Sequence, residues 1–239
     1  MTVVARLSQK IDERNDRFTN GVKARLLPEL PNVETSTLEW LVMEHYQFSF
    51  TNVGLLQSGV ASTSKLPEEG VAVELQRNAD EEDGHARMYK QAMLDVGTDV
   101  EQRVEFPPTT RFLAEVGTLT QPDPSRALGA LYATETAAIF EHETFWEICK
   151  EICDRRGIAY QDSRIKAFHD LHLDGVEQGH KDGLAAFVDL AAPPQPAAEG
   201  LAVNKDDVEL GALQAIDAMQ TWWDAMLDKA KVAPAGPRR

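Results

Sequence analysis

The chain has 239 residues, 43% of them hydrophobic, and a formal charge of −15. That is enough for one large domain or two small ones with a sizeable core, and so acidic a chain is a poor partner for nucleic acid or an anionic membrane. No apolar run is long enough to span a bilayer, and Met1-Thr-Val-Val-Ala-Arg does not read as a signal peptide.

Apolar residues recur at helical spacing throughout, so an all-α fold is expected. Residues 4–26 form a first helix, ended by Pro28 and Pro31. Ser36-x-x-Glu39 reads as a capping box that opens a strongly apolar helix over 37–59. Glu44 is conspicuous there, because a carboxylate in an apolar helix must be paired, protonated or metal-bound. Pro67 suits the first turn of a helix running to Val96, with Gly97 as its stop. This helix carries Asn78-Ala-Asp-Glu-Glu-Asp-Gly-His85. Glu81 and Glu82 compete as a ligand there, four and three residues before His85.

Residues 98–107 are irregular, and a short helix follows over 110–119. Asp123-Pro124 caps a long helix to Arg156, with Gly157 beyond its end. Its first half is almost uncharged apart from Glu135. His142 lies seven residues on, only ~20° round the helix, as a ligand or a partner to one, although Glu141 and Glu143 beside it favour a surface position. Cys149 and Cys153, four apart, match neither a redox nor a zinc pattern and read as buried, reduced residues of a cytoplasmic protein.

Asp162-Ser163 caps a helix to about Leu190. It holds Phe168 to His180, a stretch with three of the six histidines. Gly175, Gly179 and Gly183 recur at four-residue spacing, which implies close approach of another backbone or a ligand. A proline-rich linker (193–204) leads to a helix over 207–231 that packs on a core domain of residues 1–192, and residues 233–239 form a tail.

Glu82-x-x-His85 and Glu177-x-x-His180 each place a carboxylate and an imidazole on one helix face. With Glu44 and Glu135 they supply the ligand pattern of helical di-iron and di-manganese sites. Four carboxylates would balance two divalent ions, and the lack of thiolates argues against structural zinc. Glu44, Glu82, Glu135 and His180 are the expected catalytic set.

The segment around Asn78, Gly129-Ala-Leu-Tyr-Ala-Thr-Glu135 and the Phe168–His180 stretch resemble the heme-oxygenase-like di-iron oxidases, over roughly residues 36–190. That resemblance implies a bundle of about seven helices and ligands Glu44, Glu82, His85, Glu135, His172, Glu177 and His180. It also implies O2-dependent oxidation of an amino-acid- or fatty-acid-like substrate, by N-oxygenation or oxidative C–C cleavage, in natural-product biosynthesis. Its cofactors would be two iron ions with O2 as co-substrate, manganese being the other candidate. A small-molecule substrate is the expected partner, with an external electron donor and a homodimer left open.

The family spaces the last carboxylate four residues after the first histidine, but Glu177 follows His172 by five. On a regular helix these two would stand ~140° apart. A one-residue bulge near Gly175 or Gly179 would realign them; otherwise His172 acts at one remove or Asp174 substitutes. His169 is expected to be a bystander. A ferritin-like four-helix bundle is the alternative fold, and an iron-binding protein without turnover the alternative function.

Overall fold

The structure is a computed structural model that describes residues 6–66, 69–121, 123–191 and 203–232. Nine helices stand among them: α1 Leu7–Leu26, α2 Thr35–Thr63, α3 Glu69–Glu82, α4 His85–Asp95, α5 Pro107–Leu119, α6 Pro124–Arg156, α7 Arg164–Leu171, α8 Glu177–Leu190 and α9 Lys205–Lys229. The pairs α3/α4 and α7/α8 are each a single helix of the sequence reading, interrupted. Counted as rods, the helices number seven. No described helix is long and apolar enough to cross a membrane.

Local chemistry explains the ends. Asp123 accepts from the Arg126 backbone N–H, Pro124 takes the first position of α6, and Gly157 closes it at φ 66°. Ser163 and Asn204 cap α7 and α9 through their side chains. The Ser36 capping box does not form: α2 starts at Thr35 after Glu34, with no side-chain cap. Glu39 pairs instead with Arg156. The expected role of Pro67 and the linker 193–202 fall outside the described residues.

Helix α6 is the buried spine. It meets α9 closely because a Cβ on Gly129 would come within 1.9 Å of the Val208 carbonyl oxygen, and one on Gly211 within 2.3 Å of the Arg126 carbonyl oxygen. Trp222 and Trp223 of α9 are buried in the same core as α1, α2 and α6. At ~150–250 Å² each and ~25 cal/mol per Å², each Trp contributes roughly 4–6 kcal/mol. Their indole nitrogens are satisfied: Trp222 Nε1 donates to Thr109 Oγ1, and Trp223 Nε1 to Glu141 Oε1. Cys149 and Cys153 are free and buried.

Candidate metal centre

Two breaks in the helices shape the site. The first is Asp83-Gly84. Gly84 adopts φ 93°, a conformation that costs glycine little, and ends α3 at Glu82. Glu82 and His85 therefore do not share a continuous helix, as the sequence implied. They still meet, with Glu82 Oε2 and His85 Nδ1 3.0 Å apart. The second break is a π turn, His172–Val176, where Gly175 has φ 123°. It is the bulge expected near Gly175, and it brings His172 and Glu177 together on one face. Asp174 is exposed on this turn and does not substitute.

The buried groups form one continuous cluster. Ligand atoms of Glu82, His85 and His172 lie within 4.8 Å of one another, as do those of His142, His172 and Glu177, and of Glu82, Glu177 and His180. Glu135 joins through His180, whose Nδ1 is 2.9 Å from Glu135 Oε2 and 3.7 Å from Glu177 Oε2. The Glu135–His180 contact is an ion pair by distance, yet neither atom has a partner in hydrogen-bond geometry. His172 Nδ1 donates to the Phe168 carbonyl at 2.7 Å, which leaves Nε2 facing His85 Nδ1 at 3.1 Å. His142 Nε2 is 3.4 Å from Glu177 Oε1, and its ring stacks on His172 with centroids 3.9 Å apart.

The electrostatics are those of a buried polar cluster. Burial opposes charge on His180, but Glu135 and Glu177 outweigh it and push its pKa up to about 11. Burial likewise opposes charge on Glu177, yet hydrogen bonds from His142 and His180 hold it well below the usual carboxylate range. Burial raises Glu135. It pushes Glu141 up to about 8 and His172 down to about 3, and it lowers His45 and His169. Burial opposes charge on His85 too, and Glu82 and Glu177 raise its pKa against that.

The donor set fits iron or manganese: mixed carboxylate and imidazole, no thiolate, and inner atoms of Glu135 and His180 left without hydrogen bonds. Glu82, His85, Glu135, His172, Glu177 and His180 come together as the sequence proposed. Glu44 does not. Its Oε2 accepts from Arg103 Nε at 3.0 Å, from Arg103 Nη2 at 2.8 Å and from Thr109 Oγ1. The next residue, His45, turns towards the cluster instead, with its ring against His142 and its Nε2 near Glu141. Of the glutamate pair on α3, Glu82 enters the cluster, while Glu81 lies outside it against His180 Nε2 at 3.0 Å.

Glu141 and His142 are buried rather than at the surface, and His142 stands 3.4 Å from Glu177 as the partner to a ligand that its position on α6 allowed. His169 does not reach the cluster directly, but its Nδ1 lies 3.2 Å from His142 Nδ1. His45 Nδ1 pairs with the Tyr89 hydroxyl at 3.0 Å, and its Nε2 is 3.5 Å from Glu141 Oε2. His45 lies in the apolar helix between Leu41 and Phe48, and that setting is the sequence signal for its burial. A cavity of 20 Å³ adjoins the cluster, lined in part by His45, Phe48, Asn52, Glu141 and Phe168. Phe140 and Tyr132 pack away from this cavity: Phe140 on Phe18, and Tyr132 on Asp12 through its hydroxyl. Of the three spaced glycines only Gly183 meets a close neighbour, the Glu74 carboxylate, which a Cβ would approach to 1.8 Å.

No protein-family model matches the sequence, and no curated protein matches it. Solved structures do match in fold. A CADD-like protein of unknown function from Nostoc punctiforme is 21% identical, with a TM-score of 0.75 over 94% of this chain and 100% of that one. A domain of unknown function with a heme oxygenase-like fold from Shewanella denitrificans is 16% identical, with a TM-score of 0.69 over 98% and 96%. A TenA homolog from Pseudomonas syringae pv. tomato is 12% identical, with a TM-score of 0.67 over 92% of each chain. The chain therefore has the heme oxygenase-like all-α fold, and the ferritin-like alternative falls. Within that fold it carries buried Glu/His groups able to hold metal.

Proposed function

We propose that the chain is a non-heme di-iron enzyme that uses O2 to oxidise a small amino-acid- or fatty-acid-like substrate, by N-oxygenation or oxidative C–C cleavage, in natural-product biosynthesis. The observation that carries this reading is the buried, contiguous cluster of Glu82, His85, Glu135, His172, Glu177 and His180. A cluster this polar in the core is costly without a cation to compensate it.

Glu82, His85 and His172 would hold one ion, and Glu135, Glu177 and His180 the other. Ligand atoms of Glu177 lie within 4.8 Å of those of His172 and of those of Glu82 and His180, so it would be within reach of either ion. His142 holds one of the Glu177 oxygens in position. With Glu44 engaged by Arg103, three carboxylates face the two ions, and the fourth negative charge is left to a further ligand. When bound, the iron supplies the redox chemistry with O2 that the side chains lack. Glu141 can hold a proton near neutral pH at the cavity wall, beside His45. Converting an amine N–H to N–OH with O2 releases one water and consumes two electrons and two protons, so this outcome requires an external reductant.

The test is O2 uptake by ferrous-loaded protein over a panel of amines, amino acids and fatty acids. Substrate-dependent uptake matched by an oxidised product supports the enzyme. One observation favours the second reading, an iron-binding protein without turnover: the adjoining cavity is close to the size of a single water. Iron uptake with no substrate-dependent O2 consumption across the panel would select that reading.

A further inference from the structure

Glu81 sits outside the metal cluster, and its two oxygens face in different directions. Oε2 is 3.0 Å from His180 Nε2, and Oε1 accepts from Arg77 Nη1 at 2.7 Å. Arg77 also pairs with Glu74, and its Nη2 donates to the carbonyl of Gly179, the residue before His180, at 3.4 Å. Glu74, Arg77 and Glu81 follow helical spacing i, i+3, i+7 and so share one face of α3. That face straps across α8, and the absence of a side chain at Gly183 makes room for the Glu74 carboxylate.

We propose that Glu81, held by Arg77, is a positioning residue that fixes Nδ1 of His180 as the atom presented to metal. The inference rests on the metal-centre reading above. Glu81 takes the Nε2–H, so the ring can turn only Nδ1 towards Glu135 and Glu177, where it stands at 2.9 and 3.7 Å. His172 is held the opposite way. Its Nδ1–H goes to the Phe168 carbonyl, so Nε2 is its inward atom. The two histidines of one interrupted helix thus present opposite ring nitrogens. A different outer acceptor, the Phe168 carbonyl for His172 and Glu81 for His180, selects the nitrogen in each.

A histidine that binds metal commonly gives its other N–H to a carboxylate or carbonyl, and losing that partner typically costs 10–100-fold in metal affinity. Glu81 and Arg77 are 42% and 40% exposed. Surface ion pairs of this kind add little stability, so the consequence of the contact is orientation. It also identifies which of the adjacent glutamates does what: Glu82 faces the metal and Glu81 orients its ligand.

The experiment uses full-length protein labelled with 15N-histidine and loaded with Zn(II) as a diamagnetic probe. Long-range 1H–15N spectra then distinguish coordinated from protonated ring nitrogens, while a competition titration gives zinc affinity. Wild type is expected to show His180 coordinated through Nδ1 and protonated at Nε2, and His172 the reverse. Glu81→Ala should blur the His180 pattern and weaken one zinc site 10–100-fold. Glu81→Gln, whose amide oxygen still accepts the N–H, should restore both. Coordination of His180 through Nε2 in wild type, or an Ala variant with unchanged spectrum and affinity, would overturn the positioning role alone. A wild-type protein that takes up neither zinc nor iron would overturn the metal-centre reading beneath it.

Discussion

Replacing Arg103 by Met tests whether Glu44 is a structural carboxylate or a ligand. The Glu44 side chain is fully buried and that of Arg103 is 14% exposed. Removing one partner of a buried pair costs ~3–5 kcal/mol, because the other charge is left uncompensated. Thr109 still donates to Glu44, which places the expected loss near the low end, at ~3 kcal/mol. For a chain of this size each kcal/mol shifts Tm by ~2–4 °C, so Arg103→Met should melt ~6–12 °C below wild type. Calorimetry on metal-free protein measures the shift, and iron analysis after anaerobic loading measures the site. The iron content should not change, since Glu44 faces away from the cluster. A Tm shift below ~2 °C, or a loss of iron, would refute the assignment.

Gly175→Ala should destabilise the protein by ~1–2 kcal/mol, because φ 123° is strained for any side chain although nothing crowds the position. It should also weaken iron binding by disturbing the turn between His172 and Glu177. Unchanged stability in urea, or unchanged iron affinity, would show that the turn does not need glycine. His45, His169 and His172 are kept neutral mainly by burial, with His172 lowered to about 3. Their folded pKa values lie below the unfolded 6.5, so the stability they contribute is present above pH ~6.5 and lost as pH falls below it, by up to ~1.4 kcal/mol per pH unit for each. Glu141, raised to about 8, acts in the opposite sense over the same range, so the histidine contribution is read by difference: the urea midpoint of chelated wild type should fall more steeply from pH ~7.5 to pH ~5.5 than that of His169→Gln. Equal slopes in the two proteins would mean that the His169 ring is not buried neutral.

Helix placement was legible where local chemistry decides it. Asp123-Pro124 and Gly157 bracket α6 as read, and Ser163 starts α7. The bulge at Gly175 was legible too, because a five-residue spacing cannot align two ligands on a regular helix. The break at Gly84 was missed because the run of residues around it suits a continuous helix, and only the left-handed glycine ends it. Glu44 was misjudged for a different reason. A buried glutamate looks the same in sequence whether its countercharge is a metal or an arginine, and Arg103 lies in an irregular segment far along the chain. His45 and Glu141 escaped for the same reason: they become neighbours only when α2 and α6 pack, and the Trp223 indole that donates to Glu141 comes from α9.

The central claim, that the buried cluster is a two-metal centre, is tested most directly by anaerobic titration of the metal-free protein with Fe(II), followed by iron analysis and Mössbauer spectroscopy. The geometry predicts uptake of about two irons per chain into protein sites with nitrogen and oxygen ligands. Iron that is washed away on desalting, with no specific signal, would contradict it.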